Sequence, residues 1–191
     1  MIALIRPECP NPQTLVDENY ADPVNKEALR QSTSGKCMYC ESKFEHTSYA
    51  HVEHIKPKSK FPELTYSWDN LGFSCQVCNT NKGSKYDDSL PFINPYDENP
   101  KDHLVFLESI VFPRRGSERG EYTIHELDLN RAGLVERRTE RIKSLVTMIT
   151  AAFRTANESL RNQAIEEIQK EAQKDAEYSA MVESALPGLI G

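Results

Sequence analysis

Two CxxC pairs enclose the 34-residue segment 41–74: Cys37-Met38-Tyr39-Cys40 precedes it and Cys75-Gln76-Val77-Cys78 follows it. Zinc prefers four tetrahedral ligands, and a CxxC turn presents two thiolates from one short stretch of backbone. A small unit of strands and a helix has little core of its own, so one zinc ion held by all four cysteines would stabilise it. The alternative is that one of the two pairs is incidental.

The residues between and just after the pairs predict the order strand, loop, strand, helix. The first strand is expected over residues 47–55, because its side chains alternate and Pro57 ends the run. A loop is expected over residues 58–69 and a short strand over residues 71–74. The second CxxC pair then opens a short helix, which Gly83 is expected to end.

Glu53-His54, inside the enclosed segment, suits phosphodiester hydrolysis. A carboxylate binds a divalent cation, and a neighbouring imidazole takes a proton from water. A regular strand would point the two side chains to opposite faces, unless it bends at His54. An oxygen ligand from Asn79 would complete a Mg²⁺ site, and Lys82 would lie on the same helix face, beside the scissile phosphate.

Residues 37–85 resemble the HNH nucleases, whose fold is a ββα-metal finger. The resemblance rests on CxxC, Glu-His-Ile-x-Pro, Asp-Asn-Leu and CxxC-Asn-x-x-Lys, which occur in the family's order. It implies one-metal hydrolysis with Mg²⁺ or Mn²⁺ beside a structural Zn²⁺. Carried over by position, the resemblance implies that His54 is the general base and that Glu53 and Asn79 are the metal ligands. The family more often has Asp at the position of Glu53. Asn70 would anchor the loop, and Lys82 would be the basic residue of the helix.

His51 is additional to this pattern. It shares a strand face with Glu53, two residues away, so it would bind either the catalytic metal or the phosphate. The alternative is an ordinary surface or packed histidine.

A narrower resemblance, to HNH proteins of the PtuB type, rests on Val52 to Ser59, Tyr66 to Leu71 and Thr123 to Arg131. These are nuclease components of Septu and some retron anti-phage systems. The resemblance implies a defence complex with an ABC-type ATPase of the PtuA kind, with DNA as the expected substrate. The resemblance also implies that the helical C-terminal region docks the ATPase or forms a homodimer. The alternative is that this region packs over the finger.

The charge balance agrees with a need for a partner. The chain has a net charge of −6 and a pI near 5.5, whereas an independent nucleic-acid binder is usually basic. Only Lys56, Lys58 and Lys60 form a local basic spot. Two other functions stay open: a non-catalytic zinc module that bridges proteins, and an HNH nuclease that acts on RNA, including tRNA.

The whole chain is expected to be α+β with three parts. They are an N-terminal extension (1–32), the HNH core (33–90), and a strand hairpin followed by a helical region (91–191). Residues 121–129 are read either as a further strand or as the approach to the next helix. No apolar run reaches transmembrane length and no signal peptide opens the sequence, so we expect a cytoplasmic protein with reduced thiols and no membrane contact.

Overall fold

A two-stranded antiparallel sheet and the helix that follows it lie at the centre of the molecule. β1 (Ala50–His54) pairs with β2 (Leu71–Cys75), and α3 (Gln76–Lys82) begins directly after β2. The computed structural model describes residues 1–190. The predicted order of strand, loop, strand and helix is confirmed, and α3 ends where Gly83 takes a positive φ of 51°.

Gly72 brings β2 close to the first CxxC pair. A Cβ atom at Gly72 would lie 2.3 Å from Met38 Sδ, so a larger residue has no space there. The Met38 N–H donates to the Phe73 carbonyl at 2.9 Å. Both contacts hold the first pair of cysteines beside the end of β2, where the second pair begins.

The N-terminal segment closes one side of the sheet. It contains α1 (Pro12–Val16) and α2 (Pro23–Ser32), and Leu29 of α2 is completely buried. The Arg6 guanidinium donates to the carbonyls of Trp68 and Leu71 at 2.9 and 2.8 Å. These bonds connect the N-terminal segment to the finger.

A hairpin and a helix follow the finger. They are β3 (Leu104–Leu107), β4 (Ile110–Pro113) and α4 (Glu118–Glu126). Both strands agree with the sequence pattern. The segment 121–129 lies in α4 and the turn after it, so its reading as a strand is wrong; Ser117 caps this helix by accepting from the Gly120 N–H.

Three helices complete the chain: α5 (Ala132–Arg154), α6 (Glu158–Gln169) and α7 (Ser179–Ile190). α5 packs on both α6 and α7, and α7 also packs on β3. Met181 and Val182 of α7 are completely buried. No helix within residues 1–190 combines the length and the apolar character that crossing a membrane requires.

Glu41 joins α7 to the segment that carries the first CxxC pair. Its buried carboxylate accepts from Ser179 Oγ at 2.8 Å and from the Ala180 N–H at 3.2 Å, and it pairs with the buried Lys36 ammonium at 3.4 Å. Burial alone would raise the pKa of Glu41, but the N-terminal ammonium of Met1 and Lys36 lower it to about 2. The carboxylate is therefore ionised at neutral pH.

Replacing Glu41 with Gln is expected to destabilise the protein by about 3 to 5 kcal/mol, because the buried Lys36 ammonium loses its anionic partner. Equilibrium unfolding in urea with zinc present measures the effect. The matched control is Glu183→Gln, whose pair with Lys101 is about half exposed and should contribute less than about 1 kcal/mol. Equal losses for the two variants would contradict the assigned role of Glu41.

Candidate active site

The four CxxC cysteines come together in one buried cluster. Their sulfur atoms lie within 4.8 Å of one another, and Cys40 Sγ is 3.9 Å from Cys75 Sγ. Tetrahedral zinc with bonds of about 2.3 Å requires sulfur separations of about 3.8 Å, so the donor set and its spacing fit this ion. The cluster is positioned to bind a metal such as zinc, and within residues 1–190 it is the one group of three or more Cys, His, Asp or Glu side chains so arranged.

Arg131 compensates part of the negative charge of this cluster. Its two terminal nitrogens each lie 3.8 Å from Cys78 Sγ. Burial opposes the charge on the guanidinium, but the nearby thiolates raise the pKa of Arg131 above its ordinary value. Because four thiolates around a Zn²⁺ ion leave a net charge of −2, a fixed cation at this place stabilises the loaded site.

Glu53 is almost completely buried in β1. Its Oε1 lies 2.7 Å from the Lys82 ammonium of α3, and both side chains are at most 3% exposed. Burial raises the pKa of Glu53 to about 7, although Lys82 lowers it in part. A carboxylate oxygen is a ligand that Mg²⁺ and Mn²⁺ accept, so Glu53 fits the expected catalytic cation.

His54 is held in one tautomer by a backbone carbonyl. Its Nε2 lies 3.0 Å from the Thr65 carbonyl oxygen. Since a carbonyl can only accept, Nε2 carries the hydrogen and Nδ1 of the neutral ring keeps its lone pair. Burial lowers the pKa of His54, as do Lys58 and Lys82, while the Thr65 carbonyl raises it. A neutral imidazole with one free nitrogen is equipped to act as a base.

Glu53 and His54 line the same cavity, which has a volume of about 230 Å³. The chain bends at Ile55 and Lys56, directly after β1, and both Glu53 and His54 are buried. β1 stays paired with β2 through His54, so the bend comes after His54 and not at it, where the sequence had placed the exception. The cavity has room for several water molecules. Its other lining residues are Pro57, Lys58, Ser59, Gly83 and Ser84.

The other predicted site residues take different places. Asn70 accepts from the Lys56 N–H at 2.7 Å and donates to the carbonyls of Lys56 and Leu64, so it ties the long loop to the end of β1. His51 and Asn79 are half-buried and do not line the cavity of Glu53 and His54. Their predicted metal contacts stay predictions.

Lys82 differs most from its sequence-based role. Its side chain is 1% exposed. The ammonium pairs with the Glu53 carboxylate and donates to the His54 carbonyl, which lies 2.7 Å away. A buried cation with two partners is not free to contact a substrate phosphate. Lys82 therefore joins α3 to β1, and the exposed Lys58 is the cation at the cavity.

Tyr20 is the contact that the sequence did not indicate. It lies in the N-terminal segment, and its ring packs on the His54 ring with centroids 4.6 Å apart and planes at 73°. Lys58 donates to the Tyr20 hydroxyl at 3.0 Å. No motif surrounds Tyr20, and the 33 residues between it and His54 give no sequence signal of this contact.

Comparisons with known proteins agree with this geometry. The family model described as HNH endonuclease matches residues 37–85. The Septu protein PtuB of Bacillus mycoides (strain KBAB4) is 31% identical, in a match that covers 82% of this chain and 65% of that protein. The Septu protein PtuB of Bacillus thuringiensis is also 31% identical, with 87% and 70% covered. The match thus spans about two thirds of the relatives' length, and this chain belongs to the PtuB family of HNH proteins.

Proposed function

We propose that this protein is a metal-dependent endonuclease that cuts DNA as the nuclease component of an anti-phage defence complex. The observation that carries the proposal is the pair Glu53 and His54 in one cavity, with His54 Nε2 engaged by the Thr65 carbonyl. The HNH match and the Septu relatives support the same reading.

In the proposed reaction, His54 Nδ1 takes a proton from a water molecule in the cavity, and the resulting hydroxide attacks the phosphorus in line. Thr65 stabilises the imidazolium that forms, because its carbonyl already accepts from Nε2–H. Lys58 holds the phosphate at the cavity rim. A Mg²⁺ or Mn²⁺ ion held by Glu53 would neutralise charge on the phosphate and on the leaving oxygen.

The proposed partner is an ABC-type ATPase of the PtuA kind. The net charge of −6 repels nucleic acid at long range, which supports a partner that delivers the substrate. On α5 and α6, the side chains of Val146, Phe153 and Leu160 are about half exposed. These apolar groups support a role of this region in assembly, whereas α7 packs on α5 and β3 and bonds to Glu41 beside the first cysteine pair.

The proposed function predicts divalent-cation dependence that runs through Glu53. Cleavage of labelled DNA and RNA by the zinc-loaded full chain, alone and with the ATPase from its operon, is expected to be absent without added Mg²⁺ or Mn²⁺ and to appear when either ion is added. Glu53→Gln should lower the rate at least about 100-fold, because it removes the anionic oxygen that holds the cation.

Glu63→Gln is the matched control, since Glu63 lies exposed in the loop after β1 and should leave the rate unchanged. If the protein cleaves RNA but not DNA, the proposed substrate is RNA instead of DNA. Absence of cleavage of either nucleic acid, with the ATPase present, would favour the non-catalytic zinc module instead.

A further inference from the structure

Two lysines of the loop after β1 lie against aromatic rings, and a third bonds to the backbone of one of these aromatic residues. Lys58 Nζ is 4.7 Å from the centre of the Tyr20 ring. Lys56 Nζ lies 5.2 Å from the centre of the Phe61 ring and 5.6 Å from that of Tyr86. Lys60 donates to the Tyr86 carbonyl at 2.9 Å. Cations and aromatic rings thus alternate along this surface.

The rings form two pairs on the two sides of the lysines. Tyr66 lies 6.3 Å from Tyr20, which in turn contacts His54, while Phe61 and Tyr86 are 5.1 Å apart and pack edge to face. All four rings are half-buried. We call the set Tyr20, Tyr66, Phe61 and Tyr86, with the lysines at 56, 58 and 60, the aromatic–lysine surface.

These four rings differ from the aromatic residues that build the core. Phe73 is completely buried between the strands and the first cysteine pair, and Trp68 uses its indole N–H to bind the Pro7 carbonyl at 2.8 Å. The rings of the aromatic–lysine surface instead keep part of their area in solvent next to the cavity. An aromatic ring beside a lysine is a common platform for a nucleobase and the phosphate that follows it.

Base stacking on such rings requires an unpaired strand. In a duplex each base face is covered by its neighbours, and only the edges are open in the grooves. In the free protein, Lys56 and Lys58 rest on the rings through cation–π contacts. A phosphate would draw these ammonium groups away and leave the ring faces open to bases.

We propose that the aromatic–lysine surface binds unpaired nucleotides on either side of the scissile phosphate, which is attacked by the water molecule that His54 deprotonates. The substrate is then a single strand, or an unpaired segment within a duplex. The inference rests on the proposed nuclease function for the position of the scissile phosphate, but binding to the surface does not require cleavage.

Binding by the full chain with zinc, in the His54→Ala background so that nothing is cut, tests the proposal. Fluorescence polarisation compares a labelled 20-mer single strand with its fully paired duplex, in DNA and in RNA, at one salt concentration. The single strand should bind more tightly. Tyr66→Ala should weaken single-strand binding about 5- to 150-fold, as expected for the loss of one stacked base.

Two control variants separate stacking from other effects. Tyr66→Phe keeps the ring and should bind as the parent does. Tyr49→Ala removes a ring that is 88% exposed and lies outside both pairs, so it should also leave binding unchanged. A Tyr66→Ala variant that binds single strands as tightly as its parent, or a parent that prefers the paired duplex, overturns the proposal.

Cleavage by the wild-type chain distinguishes failure of the nuclease proposal from failure of the single-strand binding proposal. A duplex with an unpaired bubble should be cut faster than the same sequence fully paired, and equal cutting of the two would count against the unpaired substrate. A chain that prefers single strands in the binding measurement, yet cuts nothing with Mg²⁺ or Mn²⁺ when the ATPase is also present, refutes the nuclease proposal but not the binding proposal. Comparison of the DNA and RNA substrates shows whether the protein acts on deoxyribonucleotides or on ribonucleotides.

Discussion

His54→Ala is expected to lower the single-turnover rate of nucleic-acid cleavage by about 10²- to 10⁴-fold, the range for loss of a general base. The effect should fall on the chemical step, because His54 Nδ1 has its lone pair free while Nε2 is held 3.0 Å from the Thr65 carbonyl. The variant should retain zinc and its cooperative unfolding, since the cysteine cluster is formed by other side chains.

His125→Ala is the matched control for this variant. The His125 side chain is 82% exposed and contacts only its neighbour Glu126, so its loss should change neither rate nor stability. Unchanged cleavage by His54→Ala would show that the base has been misassigned. A loss of cleavage together with loss of zinc would show a folding defect, so zinc content and melting temperature must be measured on the same preparations.

The finger itself was predictable because its determinants are local in sequence. Each CxxC pair is one turn, and the strand, loop, strand and helix between and after the pairs follow from side-chain alternation and from Pro57 and Gly83. The pairing of β1 with β2 then follows from closing one metal site across residues 41–74. A chain with two such turns has few other ways to bring four thiolates together.

The electrostatic arrangement inside the finger was not predictable in the same way. Sequence spacing placed Lys82 on the helix face of Asn79 but could not say how deeply that face is buried. In the fold, α3 packs against β1, and the Lys82 ammonium meets Glu53 with almost no solvent contact. Burial depends on residues far apart in the chain, and it decides whether a lysine binds substrate or supports another side chain.

The long-range contacts of the N-terminal segment also could not be predicted from the sequence. Arg6 binds two carbonyls at the start of β2, and Tyr20 packs on His54, yet neither residue lies in a recognisable motif. A single sequence gives no periodic signal for contacts between irregular segments. The N-terminal segment, which the sequence indicated only as an extension, therefore contacts the candidate active site through Tyr20.

Removal of the zinc ion is expected to have the largest effect on stability. Structural zinc contributes about 10 to 16 kcal/mol of apparent binding free energy in small zinc domains, which is as large as the whole free energy of unfolding of a typical protein. Cys78 is completely buried and takes part in the cluster from the first turn of α3. Its loss removes one of four ligands and leaves three thiolates in a site that excludes water.

Cys78→Ser should therefore purify with little zinc, lose most of the cooperative melting transition of the parent and cut no nucleic acid. Cys9→Ser is the control, because Cys9 lies outside the cluster, bonds weakly to Asn25 at 3.4 Å and should leave zinc content and melting unchanged. Mg²⁺ should not rescue Cys78→Ser, since thiolates select a softer ion than Mg²⁺. If Cys78→Ser binds one zinc per chain and melts with the parent, the cysteine cluster does not hold the finger together, and the position of Glu53 and His54 must depend on packing alone.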